Sequence, residues 1–278
     1  MINFHIDKFI SSMSENAFLK RRNGSGIYQW AEKSLSIQIG CQVGCHYCWA
    51  REQMLRMKII HSLEEWKSPR QKKTTLSLKK YAGVVMFPGT HNIDASNITH
   101  CISALRNLLS HENQVLITIK PTEEVTNFLC RELATYKKQI HFRFTIGSHN
   151  SKILASWEPG GACFEERIEC LAKVRTDGFH GSVAAEPLLG GMETALYLIR
   201  AVAPYTEALW FGFMRRIKQR VLSGPSSIGS YVPLEVSMLQ QLQTPLLAQQ
   251  LMELQRFSWI YMKESIQQEA QKHVKSHY

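Results

Sequence analysis

The chain has 278 residues, of which 44% are hydrophobic and 20% charged, with 16 Gly, 9 Pro and 7 Cys. This composition excludes a collagen-like chain, a low-complexity disordered chain and a small disulfide scaffold, and it is typical of a folded globular protein. Lys and Arg number 33 against 23 Asp and Glu, a net charge of +10. An acidic or polyanionic partner is therefore a candidate, beside the simpler explanation of a soluble basic surface.

The predicted elements alternate between short apolar strands and amphipathic helices. In chain order the predicted strands are 34–40, 84–87, 114–119, 141–147, 182–185 and 208–213, and the predicted helices are 46–59, 97–109, 123–136, 164–176 and 192–202. Such strand–helix units pair in parallel through right-handed crossovers. We therefore expect an α/β fold, a partial (βα)6 TIM-like barrel, although a doubly wound open sheet shows the same alternation.

Three regions are expected along the chain. Residues 1–33 form an N-terminal segment that packs on the barrel, with Tyr28 and Trp30 beneath or beside the first strand, and residues 34–217 form the barrel itself. Residues 218–278 form a C-terminal helical extension: a loop at 223–227, one amphipathic helix at 234–257, a strand-like stretch at 259–262 and a polar helix.

No membrane or secretory signal is visible in the sequence. The stretch 1–20 alternates polar and apolar residues, and no apolar run approaches the ~18 residues that a transmembrane helix requires. We therefore expect no membrane association and a cytoplasmic location, where a reducing environment keeps thiols free.

Polar and reactive residues follow almost every predicted strand. In both candidate folds, functional groups lie just beyond the carboxyl ends of the strands. The residues found there are Cys41, Thr90, His91, Lys120, Ser148, Glu186 and Met214. Their concentration on otherwise apolar strands predicts a functional site at this rim.

Cys41, Cys45 and Cys48 form a C-x3-C-x2-C motif directly after the first predicted strand. Three thiolates on one loop favour a zinc ion or an iron–sulfur cluster. The other four cysteines are scattered singly, so no second pair completes a four-ligand zinc site. A [4Fe–4S] cluster held by three cysteines leaves one iron open, and this interpretation is preferred over zinc or over three buried structural cysteines.

The motif, with the aromatic Tyr47 directly before its third cysteine, resembles the signature of the radical S-adenosylmethionine superfamily, whose fold is a full or partial barrel. Further segments resemble its spore-photoproduct-lyase-like branch, also called DNA-repair-photolyase-like: 81–94, 115–121, 148–159, 166–168, 185–188 and 263–266. The resemblance implies a [4Fe–4S] cluster and S-adenosylmethionine as cofactors. It also implies reductive cleavage to methionine and a 5′-deoxyadenosyl radical, which abstracts hydrogen from a substrate.

The resemblance further implies roles for residues at the third and fourth strand ends. Tyr47 would contact the adenine, Ser148 the ribose, and Lys120 and Arg167 the methionyl carboxylate. Simpler roles exist for each: Tyr47 could only pack, Ser148 could be a turn or N-cap residue, and the two cations could be surface charges paired with neighbouring Glu.

Thr90 and His91 stand where the superfamily usually has a Gly-Gly-Glu segment that contacts the cofactor's amino group. Here the segment reads Pro-Gly-Thr-His-Asn, which is a departure from that pattern. His91 would touch cofactor or substrate or merely brace the loop, and Glu186 and Met214 would touch adenine or substrate.

The substrate is open at this point. In the lyase, which splits a thymine dimer, a cysteine beside the second strand end returns a hydrogen atom, but residues 87–93 contain no cysteine. This difference argues against thymine-dimer repair and leaves Cys163, the spare cysteine expected near the rim, as the candidate donor. Basic clusters at 20–22, 67–80 and 215–220 have few interleaved aromatic residues and are interpreted chiefly as solvated surface.

Three functions are weighed. The first is a radical enzyme of lyase or transferase type that acts on nucleic acid or a nucleotide, with a reductase, flavodoxin or ferredoxin as electron donor. The second is the same chemistry on a peptide or small metabolite. The third is a non-enzymatic module that binds zinc or a cluster.

Overall fold

The computed structural model describes residues 16–20, 22–72, 79–217, 220 and 232–275. The expected loop at 223–227, residues 1–15 of the N-terminal segment, and Arg21, Lys73 and Lys218 of the basic clusters lie outside the described residues. Across the described ranges, no helix has both the length and the apolarity to cross a bilayer.

Seven parallel strands form the main sheet. In order across the sheet they are β1 (Lys33–Ser34), β4 (Val84–Phe87), β5 (Gln114–Ile119), β6 (Ile140–Thr145), β7 (His180–Ala185), β8 (Leu209–Phe211) and β9 (Ile260–Met262). A small antiparallel pair joins β2 (Gln38–Ile39) to β3 (Arg70–Gln71). The main sheet curls into a half-barrel, which confirms the predicted α/β partial barrel.

Helices cover the outer face of this sheet. They are α1 (Trp49–Arg56), α2 (Leu63–Lys67), α3 (Ile98–Ser110), α4 (Glu123–Glu132), α5 (Ser151–Trp157), α6 (Phe164–Thr176), α7 (Met192–Val202), α8 (Val232–Leu242), α9 (Pro245–Glu253) and α10 (Glu264–Lys275). Their apolar stripes pack on the alternate strand residues that point outward, such as Phe87, Ile117 and Phe144, which are fully buried.

The described part of the N-terminal segment, from residue 16 onward, packs against the inner face of the half-barrel. Phe18 and Trp30 form a second apolar cluster with inward-facing strand residues, including Met86 and Trp210. The guanidinium of Arg143 on β6 lies 5.0 Å from each of the Trp30 and Trp210 rings, and its Nη2 donates to the carbonyl of Phe18 at 3.0 Å. This segment therefore completes the packing of the sheet's concave side. The expected burial is confirmed for Trp30.

Several predicted elements differ in the structure. The strand expected at 34–40 is two short strands, because the chain leaves the main sheet after Leu35, whose N–H still bonds to Met86 O at 3.0 Å. The helix expected at 234–257 is broken into α8 and α9, since Thr244 caps a new helix and Pro245 occupies its first turn. Tyr28 is 57% exposed and does not pack under the first strand.

The strand-like stretch at 259–262 is a true member of the sheet. Ile260, Tyr261 and Met262 pair in parallel with Leu209, Trp210 and Phe211 of β8. Part of the expected extension therefore supplies the last barrel strand, which brings Lys263 to the same rim as the other strand ends.

Candidate functional site

The three motif cysteines lie on one loop between β2 and α1, hereafter the cysteine loop (residues 41–48). Gly40 and Gly44 both have positive φ, +100° and +67°, a conformation that glycine adopts at no steric cost. Cys48 is the N-cap of α1. The loop thus turns twice at glycines and ends on a helix, which keeps its cysteines together at the carboxyl end of the sheet.

Two of the three sulfurs accept hydrogen bonds from the backbone. Asn92 N–H donates to Cys41 Sγ and Arg51 N–H donates to Cys48 Sγ, each at 3.4 Å. Burial raises the pKa of the Cys41 thiol, and the neighbouring Cys48 raises it further. Burial likewise raises the pKa of Cys45. The two N–H donors favour the thiolate form that a bound metal or cluster requires, whereas burial favours the protonated thiol when nothing is bound.

Arg51 fixes the cysteine loop from the α1 side, and no local sequence pattern predicts this role. Its side chain is 2% exposed, and its guanidinium donates to the carbonyls of Cys45 at 3.1 Å, His46 at 2.7 Å and Arg220 at 2.8 Å. Three carbonyls around one buried guanidinium hold the loop backbone rigid.

Asn92 connects the cysteine loop to two neighbouring strand ends. Its side-chain oxygen accepts from Lys120 N at 2.8 Å and its amide nitrogen donates to Lys120 O at 3.1 Å. Through its own N–H it also reaches Cys41. The ends of β4 and β5 are therefore tied to the first motif cysteine by a single residue, through its side chain and its backbone N–H.

Tyr47 begins a buried polar chain behind the cysteine loop. Its hydroxyl donates to Glu158 Oε1, and Glu158 Oε2 forms an ion pair with Arg167 Nη2 at 2.6 Å. Both charged side chains are fully buried, and Arg167 also donates to the carbonyls of Ala162 at 2.9 Å and Thr145 at 3.0 Å. Arg167 is thus paired with a Glu, as in the simpler of its two expected roles, but it is buried and not a surface charge.

Lys120 lies over the face of the Tyr47 ring, with its Nζ 5.5 Å from the ring centroid. Burial disfavours its charge, but the negative charge that Cys45 in its thiolate form and Glu158 place nearby outweighs this effect, so the pKa of Lys120 is raised. A protonated amine beside the cysteine loop is suited to bind a carboxylate there.

His91 and Thr90 both lie at the end of β4. Thr90 N–H and Oγ1 donate to Ser36 Oγ at 2.9 and 2.8 Å, so its hydroxyl braces the loop. His91 is 7% exposed, and its Nδ1 lies 2.8 Å from the Asn92 carbonyl. Burial lowers the pKa of His91 to about 4, so at neutral pH the ring is neutral and Nδ1 carries the proton. Within the described residues its Nε2 is buried without a hydrogen-bond partner.

The remaining predicted residues are placed as follows. Ser148 is fully buried, and its hydroxyl accepts from Asn150 N–H at 3.2 Å, which is the turn-closing role. Glu186 lies 3.6 Å from Lys263, whose pKa is lowered by burial. Met214 is 5% exposed and lines a cavity of about 500 Å³ with Phe213 and residues of α8 and α10. Cofactor contacts for all three stay predictions.

The four other cysteines lie outside the cysteine loop. Cys101, Cys130 and Cys170 lie buried on α3, α4 and α6, as the sequence predicts. Cys163 is exposed at the N-cap of α6. Its role as hydrogen-atom donor stays a prediction.

The cysteine loop offers three thiols as donors, and thiolates are the ligands that iron–sulfur clusters take. Within the described residues, no three His, Cys, Asp or Glu side chains converge closely enough to surround one metal ion.

No protein-family model and no curated protein matches the chain. Among solved structures, it is similar to spore photoproduct lyase complexed with dinucleoside spore photoproduct, at 15% identity and a TM-score of 0.48, over 88% of this chain and 78% of that one. It is also similar to Streptococcus suis SuiB bound to S-adenosylmethionine, at 11% identity and a TM-score of 0.45, over 82% of this chain and 49% of SuiB. The structure of Streptococcus suis SuiB bound to precursor peptide SuiA is similar at 11% identity and a TM-score of 0.46, over 68% of this chain and 40% of that one. Likenesses this distant do not by themselves assign the chain to a family.

Proposed function

We propose that this chain is a radical S-adenosylmethionine enzyme in which Cys41, Cys45 and Cys48 hold a [4Fe–4S] cluster. The observation that carries the proposal is the cysteine loop itself. Its thiols lie at the carboxyl end of a parallel half-barrel, and two of them accept backbone N–H bonds. The absence of a fourth cysteine in the motif leaves one corner of such a cluster for the cofactor.

When bound, the cluster would supply the electron that splits S-adenosylmethionine into methionine and a 5′-deoxyadenosyl radical. The chain's own residues would bind and orient the cofactor. Lys120 would offer its positive charge to the methionyl carboxylate, and the Tyr47 ring beneath it would contact the adenine. Burial of Cys41 and Cys45 keeps water away from the thiolates.

Nucleic acid or a nucleotide is the substrate class we propose, on the strength of the net charge of +10. A salt-sensitive gel shift of labelled DNA or RNA is the expected result. No shift at low salt would favour a peptide or small metabolite instead. A reductase, flavodoxin or ferredoxin would donate the electron, and a reducing cytoplasm suits the free thiols.

Anaerobic reconstitution with iron and sulfide, followed by reductant and S-adenosylmethionine, tests the reaction. We expect 5′-deoxyadenosine and methionine from the wild-type protein and neither product from Cys48→Ala. Cys170→Ala is the matched control, since that cysteine is buried on α6 away from the loop. Equal product from Cys48→Ala and wild type, or none from either, would contradict the proposal.

A further inference from the structure

The loop between α5 and α6 (residues 158–163, hereafter the α5–α6 loop) and the end of α5 press directly on the cysteine loop. Two backbone hydrogen bonds join them: His46 N–H donates to Trp157 O at 2.9 Å, and Gly160 N–H donates to Val43 O at 2.9 Å. A Cβ at Gly160 would lie 2.9 Å from Val43 Cα and 3.0 Å from Gln42 O. Only glycine permits this approach, because the atoms it meets are backbone atoms that cannot move aside.

Side chains add a third connection between these loops. Glu158 accepts the Tyr47 hydroxyl with one carboxylate oxygen and pairs with Arg167 through the other at 2.6 Å. Trp157, the residue before Glu158, packs its ring against that of Tyr47 at a centroid distance of 6.2 Å. Glu158 is fully buried, and among the described residues the groups that compensate its carboxylate are Tyr47, Arg167 and the nearby Lys120.

The orientation of Tyr47 is therefore set by the α5–α6 loop rather than by the cysteine motif that contains it. Tyr47 lies between two motif cysteines, and Lys120 covers its ring. Rotation of the Tyr47 phenol would therefore move the ring face that lies under Lys120 and beside the motif cysteines.

We propose that Glu158 is a positioning residue that acts through Tyr47, holding the phenol and the Lys120 side chain above it in the arrangement that binds S-adenosylmethionine. The inference rests on the proposed function, because the cofactor is the one named there. Glu158 itself contacts no reacting atom. It couples the end of β6, which Arg167 contacts at Thr145, to the cysteine loop.

A double-mutant cycle of Glu158→Gln, Tyr47→Phe and the combined variant tests this coupling in the reconstituted protein. The measured quantity is the equilibrium dissociation constant for S-adenosylmethionine, together with the change in the electron paramagnetic resonance spectrum of the reduced cluster on adding it. We expect each single change to weaken binding at least about fivefold, and the combined variant to bind within about twofold of the weaker single variant. Exposed Glu169→Gln on α6 is the matched control.

Each other outcome overturns the inference. Independent, multiplicative losses would show that Glu158 does not act through Tyr47. A lowered melting temperature with unchanged cofactor affinity and spectrum would show a purely structural role. If Glu158→Gln fails to fold, Tyr47→Phe still tests the inference, since it removes the hydrogen bond from the Tyr47 hydroxyl to Glu158 and leaves the ion pair intact; unchanged cofactor affinity and spectrum in Tyr47→Phe would overturn it. Wild-type protein that binds no S-adenosylmethionine would instead refute the proposed function, a result distinct from additive losses.

A second measurement needs no cofactor. Gly160→Ala should separate the two loops, and we expect Cys45 in the metal-free protein to react with iodoacetamide at least about threefold faster, measured by peptide mass spectrometry. Gly191→Ala is the control, because its Cβ would meet only the Leu242 side chain at 3.5 Å. Equal labelling of Cys45 in Gly160→Ala and wild type would show that the α5–α6 loop does not hold the cysteine loop.

Discussion

Buried cysteines occur in two settings in this molecule. Cys41 and Cys45 on the cysteine loop are each 7% exposed, and Cys101 on α3 is fully buried. Burial raises the pKa in both settings, to about 12 for Cys101. The difference lies in the neighbours: Cys41 accepts a backbone N–H and Lys120 lies near Cys45, whereas Cys101 Sγ donates to Asn97 Oδ1 at 3.4 Å. Burial alone therefore does not separate the two settings, whereas the backbone donor at Cys41 and the Lys120 amine near Cys45 distinguish these two sulfurs from that of Cys101.

The largest contrast is expected when one cysteine of each kind is removed. Cys45→Ala should lower the iron retained after reconstitution to about a tenth or less, because a cluster cannot close on two cysteines. Cys101→Ala should keep its iron and lose about 1 kcal/mol of unfolding free energy, from the small cavity left in the core. Iron analysis and urea unfolding measure the two effects. Equal iron in both variants would remove the distinction between the settings.

Lys120 is the next test, because it is the cation that sets the cysteine loop apart. Lys120→Met should weaken S-adenosylmethionine binding at least about tenfold, the loss expected when a buried charge-assisted hydrogen bond to a carboxylate is removed. Equilibrium dialysis on reconstituted protein measures it. Lys152→Met, at an exposed position on α5, is the control. Equal affinity for S-adenosylmethionine in the two variants would contradict the role of Lys120 in binding the carboxylate.

His91 gives the rim a pH dependence that the helix cysteines lack. Its pKa is about 4 in the folded state against about 6.5 unfolded, so between these values the unfolded chain binds more protons. Stability from this group is complete above pH 6.5 and falls as the pH drops toward 4, by about 1 kcal/mol at pH 5.5. Urea unfolding of the metal-free proteins at pH 7.5 and 5.5 measures this effect: wild type should lose about 1 kcal/mol more unfolding free energy than His91→Gln between the two pH values. Equal losses in the two proteins would show that His91 is not held neutral.

The smallest effect is expected at Cys163, which belongs to neither setting because it is exposed. Cys163→Ala should change the unfolding free energy by less than about 0.5 kcal/mol and leave the iron content unaltered. Calorimetry and iron analysis of the reconstituted variant check both. A loss of iron would mean that Cys163 takes part in holding the cluster.

Local patterns predicted much of the fold and the position of the site. Strand–helix alternation predicts the parallel sheet, and the C-x3-C-x2-C spacing places three thiols at its carboxyl end, because both signals lie within short stretches of chain. The supporting residues Glu158, Arg51 and Asn92 were missed. Glu158 meets Tyr47 across 111 positions in sequence and Asn92 meets Cys41 across 51, and a buried Arg or Glu has no local signature until its partner is known.

The same limit explains the errors in the elements. The alternation at 34–40 is real, but the chain leaves the main sheet to pair Gln38 and Ile39 with a distant strand at Arg70–Gln71. Ile260–Met262 is too short to rank as a barrel strand until its pairing with β8 is seen.

The most direct test of the central claim is the electron paramagnetic resonance spectrum of the reconstituted, reduced protein before and after S-adenosylmethionine is added. The account predicts the signal of a reduced [4Fe–4S] cluster that changes on addition, because the iron without a cysteine ligand gains the cofactor as one. A signal that does not change, or a protein that takes up zinc and forms no cluster, would contradict it.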